Sequence, residues 1–258
     1  MPCSLLYLCM PFTFAHPAIV MPINRVLGTK LSLSGLVIGS MIPDFEGFLL
    51  VTDIKTYSHA WHGMFWLDLP LGFAIAFLFH NLVRNTLIDN LPAFFRKRLI
   101  GYKKLDWNRF CKEHFWNILL SMFIGIFSHL VWDDFTHSGS FMTRHIPFLQ
   151  QWYYIGGKPY PMYKILQIST SVLGILVVIA GVTTMPVQKD IPKRKKSFYW
   201  LIVGCIAAAF VASRFMLDLA INEISLLVIT ILSGSLLGMV LAPLFVTGIL
   251  ARARKQTS

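Results

Sequence analysis

The sequence predicts an all-α fold: a polytopic transmembrane helical bundle of about five full spans plus an N-terminal half-helix hairpin, or of six spans. Three observations predict it. The mean hydropathy is +0.62, and 14% of the residues are charged, well below the roughly 25% usual in soluble domains. Five stretches, residues 63–83, 116–136, 164–185, 198–219 and 224–250, are predominantly apolar. As helices each reaches roughly 30 Å or more, enough to cross a bilayer. The basic residues are skewed between alternate loops. Residues 84–115, 186–197 and the tail hold sixteen Lys and Arg, whereas 53–62, 138–163 and 220–223 hold three, Lys55, Arg144 and Lys158. By the positive-inside rule the basic loops and the C-terminus are cytoplasmic and the alternate loops face the other side.

Taken in order, residues 1–9 lack the basic n-region and cleavage site of a signal peptide. They read as an upstream extension, with Met10 as the start. Residues 17–27 and 33–43 are each about half a bilayer long, joined by Gly28-Thr29-Lys30. A hairpin of two half-length helices is the preferred reading, although Pro22 falls inside the first. It brings His16 and Asp44 to one end. A single crossing helix over 31–52, the alternative, puts them on opposite sides. The five spans follow, with small residues in 172–181 and 233–238 suited to close helix packing. Residues 186–258 form a two-helix membrane segment and a basic tail.

The net charge of +11 needs no nucleic acid, because basic loops set topology and meet anionic lipid. Membrane lipid is the expected partner; oligomeric state is not legible. Cys3, Cys9, Cys111 and Cys205 form no CxxC pair, which argues against a disulfide framework or a thiolate metal site.

The chemistry gathers at the non-basic end. His129, Asp133 and His137 lie at i, i+4 and i+8 and share one helical face, about 6 Å apart in turn. Ionisable groups inside a span are costly and usually functional. Asp44, Glu46, Ser58, His59, His62, Asp68 and Asp134 fall at the same end under this topology. Imidazoles and carboxylates without thiolates are what a divalent metal ion takes, zinc being the expected one, or a pair of ions. The competing reading is a polar network that packs helices without metal. His80 and His114 fall at the basic end, His145 is not fixed near the cluster, and Arg214 and Asp218, at i, i+4, are expected to pair with each other.

The strings PFTFAHPAIV, GSMIPDFEGF, YSHAWHGMFWLDLPLG, FHNLVRNTLIDNLP and IGIFSHLVWDDFTH, in this order, resemble the bacterial membrane proteins of the domain of unknown function 4184 family over about residues 10–185. The pattern of His, then PD(F/I), then SH before a span, then HxxxD is more distantly similar to YdjM-type membrane-bound metal-dependent hydrolases. These in turn resemble the zinc-dependent phospholipase C and nuclease group. Carried over by position, the resemblance implies His16, Asp44, His59, His129 and Asp133 as metal ligands, with His137 after them. It implies a bacterial inner-membrane protein, and by analogy a metal-dependent hydrolase of phosphoester or lipid-linked substrates. The alternative is a non-catalytic metal-binding, transport or scaffold protein. A transport pathway would carry polar residues through the midplane, whereas here they stop at one face.

Overall fold

The computed structural model describes residues 13–27, 30–52, 56–189, 198–217 and 224–255. Among these residues six helices are long and apolar enough to cross a membrane: Leu33–Leu50, Met64–Asn90, Phe115–His145, Met162–Thr183, Tyr199–Met216 and Ile224–Val246. Cys3, Cys9, Asp218 and the proposed extension 1–9 lie outside the described residues.

The N-terminal region combines the two readings offered for it. Helix α1 (Pro17–Leu27) runs away from the cluster of polar residues. The chain returns through α2 (Leu33–Gly39), whose first turn is capped by the Ser32 hydroxyl accepting from the Gly35 N–H. At Pro43 the path tightens into a 3-10 turn, Ile42–Asp44, and continues as α3 (Phe45–Leu50). His16 and Asp44 therefore share one end, as in the hairpin, while the return limb is full length, as in the crossing helix. More than half of that limb, 56%, is buried, against 11% for each of the Met162–Thr183 and Tyr199–Met216 helices, so it runs through the middle of the bundle.

Helix α8 (Phe115–Thr136) lies alongside α2, running the same way. Gly35 meets Ile118 and Ser121, Gly39 meets Met122, and a Cβ on Gly125 would stand 2.5 Å from the Leu36 carbonyl oxygen. Only backbones without side chains approach this closely. The Ser32 N–H also donates to the Ser121 hydroxyl at 2.7 Å.

The second span is helix α4 (Leu69–Leu78), extended by α5 (Arg84–Asn90). It holds two π-helical turns, Met64–Asp68 and Phe79–Val83, and each contains a buried ionisable residue, Asp68 and His80. The main core packs Met64 and Ala76 of this span against Ile118, Met122, Ile126 and Leu130 of α8. Trp107 and Cys111 join it from α7 (Trp107–Glu113), which follows α6 (Ala93–Leu99). Burial pushes the Cys111 thiol up, as befits a packing cysteine.

Beyond α8 come two short helices, α9 (Phe141–His145) and α10 (Pro147–Gln150). They lead to a small two-strand hairpin of β1 (Trp152–Ile155) and β2 (Lys158–Pro161) within an otherwise helical fold. Its cause is local: a run of aromatic and β-branched residues is followed by Gly156-Gly157, both at positive φ. Helices α11 (Met162–Thr183), α12 (Tyr199–Met216) and α13 (Ile224–Lys255) complete the chain. Leu173, Leu176 and Leu201 on α11 and α12 are exposed, as lipid-facing side chains are. The last helices are not an appendage, because Ser233 of α13 donates to the Phe48 carbonyl of α3 at 2.7 Å.

Candidate metal centre

Asp133 is the hub. It lies one turn before the end of α8, 4% exposed. Its Oδ2 stands 3.1 Å from His59 Nε2 and 3.3 Å from His129 Nε2. Asp44 Oδ1 closes the group from the 3-10 turn, 3.7 Å from His129 Nε2 and 3.9 Å from His59 Nε2. The four ligand atoms all lie within 4.8 Å of one another. A tetrahedral ion with bonds of about 2.0–2.1 Å has ligands about 3.4 Å apart. The four nitrogen–oxygen edges, 3.1 to 3.9 Å, bracket that value, so the cluster of Asp44, His59, His129 and Asp133 could hold a divalent ion.

The surrounding groups fix which atoms face inward. His129 Nδ1 stands 2.8 Å from the Ser40 carbonyl, which only accepts, so the proton sits on Nδ1 and the Nε2 lone pair points at the carboxylates. Thr13 donates to Asp44 Oδ2 at 2.5 Å, on the oxygen away from the two imidazoles. His59 Nδ1 bonds the Ser58 hydroxyl at 3.2 Å. The loop carrying His59 is held by Glu46, whose carboxylate accepts the backbone N–H groups of Thr56, Tyr57 and Ser58, the last at 2.7 Å. Glu46 is thereby engaged as an anchor rather than a ligand.

Two residues expected as ligands stand on the other side of Asp133. His16 Nε2 lies 3.7 Å from Oδ1, and the His16 ring stacks on His129 with centroids 3.8 Å apart. His137 Nδ1 lies 3.6 Å from Oδ1. The same nitrogen donates to the Asp133 carbonyl at 3.1 Å, and Nε2 accepts from Gln167 at 3.3 Å. Both nitrogens of His137 are thus engaged, and the ring braces Asp133 at the end of the helix.

Asp68 is fully buried, and neither of its oxygens accepts a hydrogen bond among the described residues. It lies within electrostatic range of His129 and Glu46. A buried carboxylate in this condition is rare in a structure that has no use for it. The remaining histidines stay apart. His62 is exposed, His145 bonds the Phe141 carbonyl and packs at a tilt against the Phe141 ring, and His80 meets Ser34 and Arg84 near the other end of the bundle. Arg214 reaches the Val51 carbonyl at 3.5 Å.

Asp133 and His129 are legible from their spacing. Thr13, Ser40 and Gln167 carry no motif of their own; Ser40 acts through its backbone, and Thr13 and Gln167 through side-chain contacts that the packing creates. Ser58 stands in the Ser-His pair and contacts its own neighbour, His59.

No curated protein and no solved structure matches the chain significantly. A family model does, over residues 10–244, which takes in the cluster and most of the last two spans. The chain belongs to the family described as Domain of unknown function (DUF4184).

Proposed function

We propose that the chain is a membrane-embedded, metal-dependent hydrolase acting on phosphoester or lipid-linked substrates, with zinc held by Asp44, His59, His129 and Asp133. The observation that carries this reading is the gathering of two imidazole nitrogens and two carboxylate oxygens within 4.8 Å of one another. Bound there, the ion would supply Lewis-acid chemistry, acidifying water and polarising a phosphoryl oxygen. The chain's own residues divide the remaining work. Asp133 holds two imidazoles with one oxygen and is braced by His16 and His137 through the other. Asp68, the carboxylate left over from the four-ligand set, is assigned the role of base that accepts the proton of the attacking water.

The membrane orientation belongs to the same proposal. The basic segment 84–115 precedes α8 and the cluster lies near its far end. With the basic loops and C-terminus in the cytoplasm, the cluster opens at headgroup depth on the outer face of a bacterial inner membrane. Lipid-linked phosphoesters present their scissile bonds at that depth.

The test is turnover by the purified, zinc-reconstituted protein on a panel of phosphomonoesters, phosphodiesters and phospholipids. Hydrolysis abolished by Asp133→Ala supports the proposal. Stoichiometric metal with no turnover on any of them would favour a non-catalytic metal-binding protein.

A further inference from the structure

A groove of about 610 Å³ opens near the start of α8, lined by Phe73, Phe77, Asn108, Cys111, Lys112 and Phe115. Its volume lies within the roughly 300–1,000 Å³ of ligand sites. It is separate from the metal centre, since Phe115 and His129 are fourteen residues apart on one helix, about 20 Å. The walls come from two membrane-spanning helices: Phe73 and Phe77 from α4, and Phe115 from α8, stacked on Phe73 at 5.4 Å. Cys111 is buried behind them. Such walls suit a hydrocarbon chain.

The rim is polar and carries one uncommitted cation. Arg109 is paired with Glu113 at 2.7 Å and Lys103 with Asp89 at 2.6 Å. Lys112 is exposed and has no acidic partner among the described residues. Beside it, the Asn108 side-chain oxygen accepts from Asn81 at 3.1 Å, which leaves its N–H₂ for an acceptor. Across residues 84–115 eight basic residues face three acidic ones. An apolar slot within the spans, with an unpaired ammonium and an amide donor at its mouth in a basic field, matches a phospholipid with a net negative headgroup.

We propose that this groove is a binding site for an anionic phospholipid, one acyl chain lying between Phe73, Phe77 and Phe115 and the phosphate meeting Lys112 and Asn108. The occupant is a structural lipid, independent of the substrate proposed for the metal centre.

Native mass spectrometry of the full chain, released from micelles doped with equal phosphatidylglycerol and phosphatidylcholine, tests it. Wild type retains phosphatidylglycerol in preference, and Lys112→Glu lowers that adduct by about fivefold or more. Lys104→Glu, an exposed basic residue of the same segment outside the groove, leaves it unchanged. Excess inorganic phosphate does not displace the lipid, whereas lysophosphatidylglycerol does. Equal retention of the two lipids, equal loss in both variants, or displacement by phosphate alone would each overturn the proposal.

Discussion

At the scale of single residues, the centre depends on how imidazoles are oriented. The Ser58 hydroxyl meets His59 Nδ1 at 3.2 Å and also donates to the Glu46 carboxylate. Ser58→Ala is therefore expected to lower zinc affinity by about 10–100-fold, as loss of a ligand's hydrogen-bond partner does. Competition with a chelating dye checks the affinity. Asp68→Asn separates binding from chemistry. The variant should keep its metal and lose turnover on whichever substrate the wild type hydrolyses; loss of metal would make Asp68 a ligand instead. His129 and Asp133 can be read from the sequence because i, i+4 spacing fixes a shared helical face whatever else the fold does. The anchoring role of Glu46 cannot, because its partners are backbone N–H groups ten to twelve residues away.

At the scale of elements, the parallel contact of α2 and α8 sets the distance between Asp44 and the histidine face. Gly125 lies where the two backbones meet, with the Ser40 amide nitrogen 2.6 Å from the place a Cβ would take. Gly125→Ala should push the helices apart and destabilise the protein by about 1–3 kcal/mol. Because the Ser40 carbonyl orients His129, the same substitution should weaken zinc binding. Thermal unfolding in detergent and metal titration of the same preparation check both effects. The spans were legible, because a 20-residue apolar run has few other fates. The path of residues 17–50 was not. Half-length helices and a broken full-length one share the same hydropathy, and only packing against α8 selects between them. The β-hairpin at 152–161 is faint for a different reason: a four-residue aromatic strand beside apolar spans raises no separate signal, and the Gly156-Gly157 turn alone marks it.

At the scale of the whole molecule, residues from four separate segments, around 16, 44, 59 and 129–137, meet at one end of a bundle whose basic segment lies toward the other. The sequence anticipates the meeting through alternate-loop charge, and it anticipates no distances. With the native cysteines replaced, a membrane-impermeant maleimide applied to intact cells should label His62→Cys and spare Lys104→Cys; the reverse pattern would invert the proposed orientation. The claim on which the rest depends is that the four-atom cluster binds metal. Elemental analysis of purified protein after zinc reconstitution and desalting tests it most directly. The wild type should retain about one zinc per chain, and Asp133→Ala and His129→Ala should retain almost none while still folding as helical membrane proteins. Near-zero metal in all three, or equal metal in all three, would contradict it.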